Sequence, residues 1–257
     1  MTAQQYLESI LSKYSIDEGK MERLKNIRKE VENDIRAHYG SHAIESIRYS
    51  GSYAKGTAVN LNYDLDICIY FKNNSFNTLK EMFDDTGRFL RSTYQKYNVR
   101  KQRVSWGLEL MDGRSLDIVP ARSLGNGTGD AYLYSSDNTS YIKTNITKHK
   151  EYISASGDRP IIKLMKIWKI EHNVHFKSFA LELLVIKALQ NFESKDYSDR
   201  MWKVLNYIKN NSITVNLIDP ANSANIVSNT VPDSDKRALY NQAISSLSKR
   251  TWQEIIW

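Results

Sequence analysis

An α+β protein of two lobes is what this sequence predicts, with a mixed α/β first half, a nearly all-α second half and a long N-terminal helix as a spine. Three observations carry that expectation. Short apolar segments broken by Gly, Asn and Asp turns fill residues 44–119 in the manner of strands. From Ile142 onward the apolar residues switch to helical spacing. A Gly/Ser-rich loop at 123–140 separates the two patterns, so a spine helix and mixed lobe are expected at 1–135 and a helical lobe at 136–257.

The elements follow in order. Ser15-Ile16-Asp17-Glu18 has the form of a capping box. It opens a helix to about Tyr39, with Met21, Leu24, Val31 and Ile35 at helical spacing and Gly40 as the stop. Ile44–Tyr49 is a short strand, followed by a Gly51-Ser52 turn and an apolar strand carrying Asp64 and Asp66. Asn73-Asn74-Ser75 breaks the chain before a helix over Thr78–Lys96. Val99–Leu110 and Ser115–Val119 flank Asp112-Gly113, a two-residue hairpin signal, and the second arm carries Asp117. Residues 125–129 and 135–140 are loops. Helices are then expected near Thr147–Ser154, at Pro160–His172, Ser178–Phe192 and Asp199–Asn210, and from Ser234 to the last residue.

At 257 residues, with 41% hydrophobic and 25% charged, the chain can build one large domain or two small lobes. No apolar run approaches the roughly 18 residues that would span a bilayer, so no membrane association is expected. The polar, amphipathic start MTAQQYLESILSKYS does not have the form of a secretory signal. The single cysteine, Cys68, excludes an internal disulfide and suits a reducing cytoplasm. Inside an apolar strand it is expected as a buried structural thiol. A net charge of +7 suits a polyanionic ligand, nucleotide or nucleic acid alike. The small basic clusters, Arg100–Lys101–Arg103 among them, are each explained by solvated faces.

The chemistry concentrates in YSGSYAKGTAVNLNYDLDICIYF, residues 49–71. Asp64 and Asp66 are spaced i, i+2, so an extended strand points both carboxylates one way and Leu65 and Ile67 the other. Two neighbouring anions repel, and a divalent cation compensates them. Gly51 lets backbone approach a phosphate, and Ser52 adds a hydroxyl donor. Together they point to nucleotidyl transfer, in which a hydroxyl attacks an α-phosphate beside bound metal. Asp117, flanked by Leu116 and Ile118, is the natural third carboxylate. Glu109 and Asp112 compete for that role, but a solvent-facing strand position accounts for the first and a turn for the second. A P-loop is excluded because Thr57 follows Gly56 without an intervening lysine, and a strand rather than a long helix comes next.

Gly-Ser, the D-x-D strand and a later Asp in that order resemble the DNA polymerase β-like nucleotidyltransferase superfamily. DGRSLDIVPA, YIKTNITKHKEYI, IIKLMKIWK, KSFALELLVIKAL and LIDPANSANIV are similar to the branch holding oligoadenylate synthetases, archaeal CCA-adding enzymes and the bacterial CD-NTases (cGAS/DncV-like), the last fitting best. The resemblance spans most of residues 45–230. It implies a polymerase β-like core of mixed sheet and helices, with a helical C-terminal lobe closing a nucleotide cleft. It further implies synthesis of cyclic or short linear oligonucleotide second messengers from NTPs, read by a downstream effector in antiphage (CBASS) signalling. By residue, it makes Asp64, Asp66 and Asp117 the ligands of two Mg²⁺ ions, with Mn²⁺ able to substitute, and puts Gly51, Ser52, Lys166 and Ser178 on the triphosphate. On the residues alone, Lys166 equally fits a solvated stripe with Lys163 and Lys169, and Ser178 an ordinary N-cap. His149 and Asp219 have structural readings and stay outside the site. No zinc ribbon or basic platform for double-stranded ligands stands out, so no obligatory nucleic-acid activation is expected; a monomer is the expected state. The rival functions are transfer to an RNA 3′ end, a small molecule or a protein, and a catalytically inactive nucleotide- or RNA-binding regulator.

Overall fold

The computed structural model describes residues 1–257 except Asn62, Tyr63, Asp112 and Asn138 and the side chain of Lys20. Helix α1 (Ala3–Lys13) opens with a capping box formed by Thr2 and Gln5 and buries Leu7 and Ile10. Helix α2 (Glu18–Ala43) begins later than the Ser15 signal implied, since the Asp17 carbonyl accepts its first bond from the Met21 amide. Met21, Leu24, Val31 and Ile35 are buried along one face, as their spacing predicts. Gly40 breaks the helix where the sequence expects a stop, at φ 73° and ψ 165°, and only a short final turn follows it.

Strand β1 (Ile44–Ser50) runs into the short helix α3 (Gly51–Lys55), so the expected Gly-Ser turn is one helical turn closed by Gly56 at φ 71°. Strand β2 (Leu65–Phe71) follows, then α4 (Leu79–Thr93), whose N-cap Thr78 accepts the Glu81 amide. The segment expected as one arm, Val99–Leu110, is itself a hairpin of β3 (Asn98–Lys101) and β4 (Trp106–Glu109). β5 (Ser115–Ser123) then pairs antiparallel with β4, as the sequence suggested. Asp112 of the connecting turn lies outside the described residues. β6 (Ala131–Ser135) and β7 (Ser140–Thr144) occupy a region expected to be loop and the start of helix. Their sequences, AYLYS and SYIKT, are short and rich in aromatic or β-branched residues, a signal lost among the surrounding Gly and Ser.

These strands make one mixed sheet in the order β1-β2-β5-β4-β3, with β6 on the second half of β5 and β7 outside it. Among the described residues only β2 and β5 run parallel. Leu65, Ile67, Leu116 and Ile118 have no exposed surface. Tyr39 of α2 packs edge-on against Phe71 and donates to Asp85 of α4, while Tyr94 after α4 donates to Asp34 of α2. Cys68 is buried in β2 with its thiol pushed up by desolvation, a structural residue as expected.

Helix α5 (Ile146–Ser156) leads to α6 (Arg159–Glu171), α7 (Ser178–Leu189) and α8 (Tyr197–Asn211). A small hairpin, β8 (Ile218–Asp219) with β9 (Asn222–Ile226), precedes α9 (Asp233–Leu247), which stops short of the last residue. The chain forms two compact units. One comprises residues 17–58 and 62–150 and holds the mixed sheet; the other comprises 1–16, 59–61 and 151–257 and is mainly helical. The sequence boundary was drawn at 135/136; here the long final crossing falls at 150/151 and α1 belongs with the helical unit.

The helical unit has its own core around Trp168, whose indole N–H donates to Ser246 Oγ at 2.9 Å. Each large apolar side chain buried in this way contributes about 1.5–3 kcal/mol. No helix of the described residues is long and apolar enough to cross a membrane.

Candidate active site

Sheet register assembles the candidate site. In the parallel pairing Leu65 lies beside Leu116, and Asp66 beside Asp117. Adjacent strands lie about 4.8 Å apart and in-register neighbours share a face. The two leucines therefore enter the core, and the two aspartates meet on the opposite face. Asp64 immediately precedes β2, and its Oδ1 accepts the Ser115 amide at 3.1 Å, which ties it to the same end of β5. Three carboxylates thus gather on neighbouring backbone for a reason legible in the pattern D-L-D and S-L-D.

Gly51 has a specific task here. It adopts φ +60°, and a Cβ on it would fall 1.7 Å from Asp66 Oδ2. No side chain fits, so the backbone of Gly51 passes directly against this carboxylate.

Asp117 is held by two side chains. Its Oδ1 accepts from Gln102 Nε2 at 3.1 Å and from Ser115 Oγ at 3.2 Å. Burial first, and then the charge of Asp64, raise its carboxyl above the usual range, while the bonds from Ser115 and Gln102 oppose that shift. The donor set suits a hard divalent cation: it is all oxygen, and the repulsion that lifts Asp117 is what such an ion relieves. Among the described residues no three carboxylate, His or Cys side chains already stand close enough to grip a metal. Register brings the groups to one patch, and an ion would have to draw them together.

The competing carboxylates go elsewhere. Glu109 accepts from Asn98 at 2.9 Å and pairs with Arg100 at 3.2 Å along the β3–β4 edge. Asp219 is buried and accepts the Ala221 amide and the Asn225 side chain, which builds the β8–β9 turn.

Lys166 and Ser178 lie in the helical unit. Lys166 is buried in α6, not on a solvated stripe, and its ammonium meets Glu182 of α7 at 2.6 Å. Ser178 is the exposed first residue of α7 rather than its cap. The lysine beside it is Lys169, with Nζ 3.5 Å from Ser178 Oγ and 2.9 Å from the Phe176 carbonyl. Burial lowers the Lys169 pKa, with Lys166 adding to the effect.

Gln102 and Ser115 were not anticipated from the sequence. Ser115 could have been found, because S-x-D on a strand puts hydroxyl and carboxylate on one face. Gln102 had no signal, since it falls in a turn inside what the sequence presents as one strand.

Comparisons with known proteins agree with this architecture. The cyclic AMP-AMP-AMP synthase of Escherichia coli (strain MS 115-1) is 24% identical over 274 residues, covering 91% of this chain and 85% of that protein. The structure of E. coli MS115-1 CdnC with ATP superimposes with a TM-score of 0.78 at 20% identity, over 99% of this chain and 97% of that one. The Bradyrhizobium diazoefficiens CD-NTase CdnG in complex with GTP gives 0.73 at 13% identity, over 95% and 91%. The profile of the Second Messenger Oligonucleotide or Dinucleotide Synthetase (SMODS) domain matches residues 1–156. With more than half its length matched by that profile, the chain belongs to the SMODS family of nucleotidyltransferases, the makers of oligonucleotide second messengers.

Proposed function

We propose that this protein joins ATP into a cyclic oligoadenylate, with a cyclic triadenylate as the expected product, at the patch formed by Asp64, Asp66 and Asp117. The in-register pairing of Asp66 with Asp117 on parallel strands is the observation that carries this reading. The choice of adenine is supported by the cyclic AMP-AMP-AMP synthase relative. In each step an acceptor hydroxyl attacks an α-phosphorus, the bond to pyrophosphate breaks, and the hydroxyl proton departs on the Asp117 side. The last free hydroxyl then attacks the chain's own 5′ α-phosphate, expels the remaining pyrophosphate and closes the ring.

The three aspartates would hold two Mg²⁺ ions, or Mn²⁺ in their place. When bound, such ions acidify the acceptor hydroxyl and neutralise the triphosphate. Gly51 presents backbone at close range, and Ser52 adds its hydroxyl, for the triphosphate of the donor nucleotide. Lys166 and Ser178 are the family's triphosphate positions by resemblance. The proximity of Lys169 to Ser178 makes it the further cation to test, since Lys166 already meets Glu182.

In the cell the product would be an alarm signal read by a separate effector in cytoplasmic antiphage defence. CdnC of E. coli MS115-1 was solved in complex with a HORMA protein. That complex supports a protein, not a nucleic acid, as the activator to test for this chain.

The test is incubation with labelled ATP, GTP, CTP and UTP, singly and together, with Mg²⁺ and then Mn²⁺, followed by phosphatase. Phosphatase-resistant products from ATP that vanish in Asp66→Asn are expected. Products made only on an added RNA end would replace this reading with RNA-directed transfer.

A further inference from the structure

We propose that Gln102 is a positioning residue that selects which oxygen of Asp117 does the chemistry; the inference rests on the active-site reading above. Both hydrogen bonds to Asp117, from Gln102 Nε2 and Ser115 Oγ, fall on Oδ1. Oδ2 accepts none among the described residues. A carboxylate oxygen engaged by two donors is a poorer ligand and base than its partner, so Asp117 presents Oδ2 to the cation and the acceptor hydroxyl.

The amide that does this is fixed at every point. A carboxylate only accepts, so the Gln102 atom facing it must be Nε2. Oε1 then faces Ser105, whose hydroxyl donates to it at 2.5 Å. The Gln102 backbone N–H donates to the Ser105 carbonyl at 2.9 Å, and its own carbonyl accepts from Ser136 Oγ at 3.0 Å. Ser105 itself is buried. A long polar side chain is thereby locked at both ends of its amide.

Room for it comes from Gly107, which lies directly across the ladder from Asp117. A Cβ there would come within 2.7 Å of Gln102 Nε2 and 3.1 Å of Asp117 Oδ1. Gly107 is not at positive φ, so its lack of a side chain serves this contact and not backbone geometry. Serine clamp, amide and glycine gap all converge on one carboxylate oxygen.

The test compares Gln102→Ala, Gly107→Ala and Asp117→Asn with the parent by Mn²⁺ titration of the nucleotide-free protein, steady-state kinetics with ATP, and thermal melting. Loss of an outer-shell partner commonly weakens metal affinity or activity by about 10–100-fold. We expect Gln102→Ala to lose about tenfold in Mn²⁺ affinity and to lower kcat by a similar factor, with KM for ATP within about twofold and an unchanged melt. Gly107→Ala should reproduce this pattern, because it evicts the amide without removing it. If Gln102→Ala and Gly107→Ala bind Mn²⁺ and turn over like the parent while Asp117→Asn does not, the positioning role is overturned and the active-site reading stands. If Asp117→Asn retains both properties, the active-site reading fails and takes this one with it. A Gln102→Ala protein that melts early but binds Mn²⁺ normally when folded also overturns the proposal, since that is a purely structural role.

Discussion

Two groups of acidic side chains in this molecule are treated in opposite ways. Glu182 and Asp158 in the helical unit meet Lys166 and Arg200 respectively, and Asp130 in the sheet unit meets Lys143 at 2.8 Å. The aspartates on β2 and β5 are set beside one another with like charge. A buried charge with a partner is compatible with a stable fold, whereas neighbouring like charges cost stability unless something else arrives. Acids paired with cations therefore report on folding, and the like-charged patch is the place to test for a ligand.

Substitutions can break that contrast. The largest effect is expected from Asp66→Asn, which should lower nucleotidyl transfer by about 10³-fold. Its melting temperature should change little, because asparagine keeps the size and shape of the side chain. Product assays alongside a thermal melt check both halves. Glu182→Ala should do the reverse and cost about 3–5 kcal/mol, since it removes the carboxylate that meets the buried Lys166 ammonium. Urea unfolding measures that loss, and a variant as stable as the parent would refute the structural role of the pair.

Gly51→Ala falls between the two classes. Its Cβ would strike the Asp66 carboxylate at a backbone angle that disfavours side chains, so about 1–3 kcal/mol of strain is expected together with reduced turnover. A variant with unchanged turnover would show that the close approach has no catalytic use.

The smallest effects lie in pH dependence, and they have opposite signs. Asp117 is raised, so its ionised form penalises the fold above its native pKa, and the penalty fades as pH falls through that value. Asp117→Asn should therefore melt about 1–3 °C higher than the parent at pH 8, with the gap closing in acid. Asp130 is lowered to about 2, first by its bond from Lys143 and next by that from Asn145. Its contribution is present above the usual carboxylate range and lost as pH falls toward 2. Asp130→Asn should thus melt lower at pH 7 and converge with the parent near pH 2. Parallel pH profiles for the two variants would erase the distinction between paired and crowded acids.

The candidate site was more legible than the sheet that builds it. Asp64, Asp66 and Asp117 stand out because charged residues interrupt apolar strands; alternation gives Asp64 and Asp66 a shared face, and the β2–β5 register adds Asp117 to it. The helices from Arg159 to Asn211 followed their apolar spacing closely. What the sequence hid depends on long-range pairing. Gln102 reaches Asp117 only because the chain turns at 102–105, and nothing local distinguishes that turn from a continuing strand. β6 and β7 are short and stabilised by β5 and by each other, so neither carries a strong pattern of its own. The fate of Lys166 depended on Glu182, a residue sixteen positions away whose partner no periodicity identifies.

The β2–β5 ladder has one more consequence. Side chains alternate along it, so a slip of β2 by one residue would send Asp66 toward the core and leave Leu65 and Ile67 facing water. Burying an unpaired carboxylate is expensive enough to reject that arrangement outright. The same alternation that aligns the aspartates thus acts as a proofreader of folding: a copy of the chain that has found its correct register has, by that fact, already put Asp66 and Asp117 side by side.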